Sequence, residues 1–160
     1  MQHTILIKQN KNIPFTFTII GEGVETERLK FAVYQLGLTE NVIFVGKVSQ
    51  QEVIKYMEQS HVYLQYSLQE GFCNAVLEAQ AMGLFCIVSD AEGLQENVMQ
   101  GVTGSVVPKR NPEALADGIK AFLGLEVMEK VKRSEQAIAR VKQGYSVEKQ
   151  QALFMKFYDD

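Results

Sequence analysis

Five short apolar runs, separated by stretches with helical spacing, constrain this chain more than any other feature in it. The runs are Phe15–Ile20, Val42–Val45, Val62–Gln65, Leu84–Val88 and Gly104–Val107. They are continuously apolar rather than alternating, as strands covered on both faces require. Glycine or proline closes several of them, at Gly21, Gly46 and Pro108. Between the runs, residues 24–37 carry Leu29, Val33 and Leu36 at helical spacing. Ser49 and Glu52 form a capping-box signature that opens a helix to about Gln59. Residues 73–82 and a short segment near 92–99 read as helices, and Asn111-Pro112 starts another that runs through Leu123. The tail 125–158 is helical in composition, broken at Gly144-Tyr145-Ser146, where Ser146 caps a last helix. Residues 1–14 read as helix, with a strand at Ile5-Leu6-Ile7 as the alternative.

Strands alternating with helices imply parallel pairing through right-handed crossovers. The expected architecture is therefore α/β: a Rossmann-like open parallel sheet of five or six strands with helices on both faces. The length of 160 residues suits a single domain, 1–160. Sixteen basic against nineteen acidic residues, a net charge of −3, and no basic cluster beyond Lys109-Arg110 or Lys132-Arg133 argue against nucleic acid as a partner. Cys73 and Cys86 cannot build a disulfide framework, so a reducing, cytoplasmic setting is expected. No apolar stretch approaches the roughly 18–20 residues that span a bilayer.

In open α/β sheets, ligands bind outside the carboxyl ends of the strands. The richest loop there is Tyr66-Ser-Leu-Gln-Glu-Gly-Phe-Cys-Asn-Ala-Val-Leu-Glu78. A strand ends, Gly71 permits a tight turn, and a helix begins with free amides near Cys73, Asn74 and Ala75. Such amides and the helix dipole suit a diphosphate. Glu70 and Glu78 bracket this turn, and a carboxylate accepts hydrogen bonds from vicinal hydroxyls, so sugar or ribose diols are natural partners. Spacing alone leaves a second reading open, in which Glu78 merely favours an early helix position and Glu70 is a solvated loop residue. Gly21-Glu-Gly23 lacks the third glycine of a dinucleotide fingerprint and reads as a helix-start turn. There is no phosphate-binding GxxxxGK[ST], no HExxH and no Asp-x-Asp, so no metal site is expected. His61 reads as a charge at a helix C-terminus, and Cys73 as a small spacer rather than a nucleophile.

Around this loop the sequence resembles the nucleotide-sugar-binding C-terminal half of family 4 glycosyltransferases of the two-domain GT-B type (glycosyl transferases group 1). The resemblance runs from about Phe15 to Leu123 and includes the segment near Ser146–Tyr158. Its best marker is Glu70-Gly-Phe-Cys-Asn-Ala-Val-Leu-Glu78-Ala, the family's pair of glutamates separated by seven residues. Further matches are Ile19-Ile-Gly-Glu-Gly23, Val42-Ile-Phe-Val-Gly46, Ala81-Met-Gly83, Ser89-Asp90, Gly93-Leu-Gln-Glu96 and Gly101-Val-Thr-Gly104. Cys73 stands where a second glycine is common, which narrows the space over the helix start, and Phe85 stands where proline is usual.

The resemblance implies roles for particular residues. Glu70 would be catalytic, contacting donor-sugar hydroxyls and holding charge near the anomeric carbon. Gly71, Phe72, Cys73 and Asn74, with Ser67 in the same loop, would face sugar and diphosphate, and Glu78 would clasp the ribose. Lys47 and Val48 would lie against the base through their main chain. The substrate would be a UDP-, GDP- or ADP-sugar, with no cofactor and no bound metal. The family's Arg and Lys for the diphosphate, and its acceptor-binding domain, would lie upstream of residue 1; neither Lys8 nor Lys11 falls where that pair should be.

The implied function is the donor half of a retaining glycosyltransferase that moves a hexose onto a hydroxyl of a carbohydrate or lipid-linked acceptor, in bacterial polysaccharide biosynthesis. The partner is the N-terminal acceptor domain, in cis or as a subunit, through which the protein would reach the inner face of the membrane. The half alone is expected to be inactive. The alternatives are a non-catalytic nucleotide-sugar-binding regulatory module and a UDP-sugar epimerase-like enzyme.

Overall fold

The computed structural model describes residues 15–145 and Lys149. The expected helices over 1–14 and from Ser146 onward lie outside the described residues. Within them the order is β1 (Phe17–Ile20), α1 (Thr26–Gln35), β2 (Val42–Gly46), α2 (Gln50–Glu58), β3 (Val62–Gln65), α3 (Asn74–Ala81) and β4 (Phe85–Ser89). It continues with α4 (Leu94–Asn97), β5 (Gly104–Val107), α5 (Pro112–Leu123) and α6 (Val127–Gly144). Each expected strand and helix of this region forms, with ends that shift by at most two residues.

Local chemistry accounts for the sharpest boundaries. The Ser49 hydroxyl accepts the Glu52 amide, and the Glu52 carboxylate accepts the Ser49 amide at 2.9 Å, closing the capping box at the start of α2. The side chain of Asn111 accepts the Ala114 amide at 3.0 Å, and Pro112 takes the first helical position of α5.

All strand pairing is parallel. The expectation of one continuous sheet needs refinement: hydrogen bonds join β1 to β2, and β3 to β4 to β5, as groups of two and three strands. Among the described residues, no strand is hydrogen-bonded to the second edge of β1 or to the second edge of β3.

The central strand β4 is buried along its whole length. Side chains alternate across a strand, and here the alternation divides the core. Cys86 and Val88 face a cluster with Met57 of α2, Val76 and Ala79 of α3, and Ala91, Leu94 and Val98 around α4. Phe85 and Ile87 face Val107, Leu115 and Phe122, on the α5 side. Helices therefore cover both faces of this sheet, and a third cluster of Val33, Leu38 and Val42 closes α1 over β1 and β2. Phe85, in the proline position of the resembling family, stacks on Phe122 at 5.0 Å with the Arg133 guanidinium over its ring. Gly104 is required by close approach, since a Cβ there would meet the Cys86 carbonyl oxygen of the neighbouring strand.

Candidate functional site

Strand β3 delivers a line of polar side chains to the loop that follows it. Tyr63, Gln65 and Ser67 recur with period two, so they share one face. The Tyr63 hydroxyl donates to Gln65 Oε1 at 2.9 Å, and Gln65 Nε2 donates to Ser67 Oγ at 2.9 Å. The last two members of this line converge on one carboxylate oxygen. Glu70 Oε2 accepts Ser67 Oγ at 3.2 Å and Gln65 Nε2 at 3.3 Å. Glu70 Oε1 has no partner among the described residues, so the carboxylate is oriented through one oxygen and open through the other. The loop is itself tied to β4, where the Ser89 hydroxyl donates to the Ser67 carbonyl.

The turn then enters α3, an eight-residue helix whose N-cap residue Cys73 offers no side-chain hydrogen bond. Uncapped first-turn amides are orphan donors at the positive end of the dipole. The amides of Gly71, Phe72 and Asn74 have no partner among the described residues. The Cys73 amide differs, because it donates to the side chain of Asn97 at 3.4 Å. Cys73 packs against the buried cluster beneath α3 while staying half-buried.

Glu78 is the fifth residue of α3 and exposed. Dipole stabilisation of a carboxylate fades beyond the first turn, so a preference for the helix start does not explain it. Its Oε2 accepts Gln50 Nε2 at 2.9 Å from the first residue of α2, at the carboxyl end of β2. Glu70 lies in the loop before α3 and Glu78 within that helix. Burial pushes the Tyr63 phenol well above its ordinary range, and the charges of Cys73, Cys86, Glu78 and Glu70 push it further in the same direction.

At the expected base position, Lys47 is exposed and Val48 half-buried. The Lys47 amide donates to Glu22 Oε1 at 3.4 Å, which lays the Gly21-Glu-Gly23 turn against the loop after β2. From the other side the site is bounded by Gly93, at φ +81, whose ideal Cβ would collide with the Gly71 carbonyl oxygen and lie 3.1 Å from the Phe72 nitrogen. Phe72, exposed on the turn, pairs with the Tyr145 ring at 5.9 Å. The structure thus gathers Ser67, Glu70, Gly71, Phe72, Cys73, Asn74 and Glu78 around one turn, with Lys47 and Val48 on the loop leading to Gln50. Sequence reasoning missed Gln50, Tyr63, Gln65 and Asn97. The period-two polar line of β3 was a readable signal for Tyr63 and Gln65; nothing local marks Gln50.

Elsewhere, an open groove of 480 Å³ is lined by Met99, Val102 and residues of α6 including Arg140, and holds none of the turn residues. Among the described residues, no three His, Cys, Asp or Glu side chains gather as metal ligands. Nor is any helix among them long and apolar enough to cross a membrane.

The profile of the glycosyl transferases group 1 family matches residues 3–143. The chain belongs to this family. Among its relatives is the amylovoran biosynthesis glycosyltransferase AmsK of Erwinia amylovora, 33% identical over 108 residues, which are 64% of this chain and 26% of that protein. The lipopolysaccharide core biosynthesis mannosyltransferase LpcC of Rhizobium leguminosarum is 28% identical over 133 residues, 83% of this chain and 37% of that protein. Among solved structures, Anabaena HepE in complex with UDP aligns with a TM-score of 0.85 at 21% identity, over 97% of this chain and 44% of that one. The crystallised C-terminal domain of a group 1 glycosyltransferase, LpcC of Francisella tularensis, aligns with a TM-score of 0.79 at 20% identity. That alignment covers 91% of this chain and 76% of that domain. The fold is thus the Rossmann-like one of a GT-B glycosyltransferase. The chain spans about a quarter to just over a third of the length of the curated relatives cited here.

Proposed function

We propose that this chain is the nucleotide-sugar-binding domain of a retaining, metal-independent glycosyltransferase, and that residues 1–160 form a single donor-binding unit. The observation that carries the reading is the Glu70 carboxylate, fixed through one oxygen by Ser67 and Gln65 and open through the other, beside the unpartnered amides of Gly71, Phe72 and Asn74. Those amides suit the diphosphate of a UDP-, GDP- or ADP-sugar. Glu78, steadied by Gln50, suits the ribose hydroxyls. The main chain of Lys47 and Val48 would flank the base, and the HepE complex makes UDP the first nucleotide to try.

In the transfer, the acceptor hydroxyl oxygen would bond to the anomeric carbon as the bond from that carbon to the phosphate oxygen breaks. The hydroxyl proton would pass to the departing diphosphate, on the same face of the sugar. Open Glu70 Oε1 would hold sugar hydroxyls and offset positive charge at the anomeric carbon. Without an opposing domain to position an acceptor and exclude water, the chain alone would bind donor and transfer little or nothing. The acceptor would be a carbohydrate or lipid-linked hydroxyl, in keeping with the polysaccharide and lipopolysaccharide roles that the relatives' names carry.

Titration calorimetry of the chain and its Glu78→Ala variant with UDP-, GDP- and ADP-sugars tests this. One nucleotide should bind, and the variant should lose at least about tenfold, the worth of hydrogen bonds to a charged group. Unchanged binding in the variant would remove the ribose role, and the absence of binding by every nucleotide would remove the donor-domain reading.

A further inference from the structure

The turn before α3 is held from below by a residue that belongs to none of the family-like motifs. Asn97, at the end of α4, is fully buried. Its Oδ1 accepts the Cys73 amide at 3.4 Å, and its Nδ2 donates to the Cys73 carbonyl at 3.3 Å. Cys73 is extended, at φ −96 and ψ 100, so its N–H and C=O point to the same side, as on the edge of a strand. The Asn97 amide group thus pairs with one residue of the turn as a neighbouring strand would.

Direction follows from peptide planarity. A trans peptide sets each C=O antiparallel to the next N–H. The Cys73 carbonyl accepts both Asn97 Nδ2 and, within the first turn of α3, the Val76 amide at 3.2 Å, so the Asn74 amide on the other edge of that peptide points the opposite way, out of the head of α3. Asn97 is anchored in turn. Its own carbonyl accepts Gln80 Nε2 at 2.7 Å and Arg140 Nη1 at 2.8 Å, and the Glu96 carbonyl accepts Arg140 Nη2 at 2.7 Å. Arg140 also donates to the Tyr145 hydroxyl at 3.1 Å, and the Tyr145 ring packs on Phe72 of the same turn. A path of hydrogen bonds therefore runs from α6 through Asn97 to the peptide that presents the Asn74 amide.

We propose that Asn97 is a positioning residue for donor binding: it aims the Asn74 amide at the diphosphate, and Arg140 holds Asn97 in register from α6. This rests on the assignment of the turn as the diphosphate site. Asn97 touches no substrate, so its effect should be confined to the phosphate end of the ligand. A residue needed only for folding would weaken every part of the site together.

The test compares the 160-residue chain with Asn97→Asp and Arg140→Met, each checked by thermal melting. Binding of UDP and of uridine is measured by calorimetry or NMR titration, with the GDP/guanosine and ADP/adenosine pairs run alongside. Asn97→Asp keeps an acceptor for the Cys73 amide but sets a carboxylate against the Cys73 carbonyl, turning the peptide. It should weaken the nucleoside diphosphate by about tenfold or more while the nucleoside stays within about twofold, the scale of one charged hydrogen bond. Arg140→Met should shift the same ratio in the same direction by about threefold, and it carries the test if Asn97→Asp does not fold. If diphosphate and nucleoside weaken equally in a folded variant, or the diphosphate is unaffected, the proposal is overturned. If the unaltered chain binds nucleoside but gains nothing from the diphosphate, the assignment of the turn is wrong and the proposal falls with it.

Discussion

Replacing Gly93 with alanine should damage stability and donor binding through a single methyl group. Gly93 sits at φ +81, where an L-residue costs about 1–2 kcal/mol. The new Cβ would stand well inside contact distance of the Gly71 carbonyl oxygen, a backbone atom that cannot rotate away. Relief to ordinary contact, near 3.5 Å, needs a displacement of about 1 Å. Overpacking of this kind adds about 1–3 kcal/mol, so Gly93→Ala should lose about 2–5 kcal/mol in all. At about 2–4 °C per kcal/mol for a domain of this size, the melting temperature should fall by roughly 10 °C. The direction of relief matters more than the total. The atoms in the way are Gly71 O and Phe72 N, so the turn whose amides are assigned to the diphosphate must move. Urea unfolding and nucleotide titration on the same samples would measure both effects, with Gly23→Ala as control, since a Cβ there meets nothing within 4 Å. A Gly93→Ala protein with unchanged stability and unchanged diphosphate affinity would refute both the close approach and the placement of the site beside it.

The further predictions concern a helix cap and titratable groups. Ser49→Ala should destabilise the domain by about 1 kcal/mol in urea titration, the usual worth of an N-cap. Hydrogen bonds from the Ser49 side chain and then its backbone hold the Glu52 carboxyl below its ordinary 4.5, so its contribution is present above that pH and lost as pH falls through the lower folded value. The stability gap between the wild type and Glu52→Gln should accordingly close below about pH 4.5. Burial pushes the Cys86 thiol far above its ordinary value near 9, and Cys73 is only half-buried. A thiol reagent at neutral pH should therefore modify Cys73 in the native state and reach Cys86 only on unfolding. Because Cys86 and Tyr63 stay protonated in the fold, stability should decline as pH rises above about 9.

The fold of the described region was legible because each boundary has a local cause. The Ser49–Glu52 box and the Asn111-Pro112 start were readable as pairs of residues and formed as written. The grouping of strands was not legible, since pairing between distant segments leaves no mark in either one, and the five strands form groups of two and three. At the site, Glu70 and Glu78 could be singled out by residue type and spacing around a strand-to-helix turn. Their orienters were hidden to different degrees. Ser67 is legible as part of the loop, and period-two alternation on β3 extends that signal to Gln65. Gln50 lies 28 residues from Glu78 and Asn97 lies 24 from Cys73, so only tertiary packing brings them together.

The most direct test of the donor site is an amide-resolved NMR titration of the ¹⁵N-labelled chain with the nucleoside diphosphate that binds. The amides of Gly71, Phe72 and Asn74 should shift together with the binding curve, joined by those flanking Glu78 and Lys47. Saturable shifts centred instead on Met99, Val102 and Gln143, around the groove beside α6, would contradict the assignment.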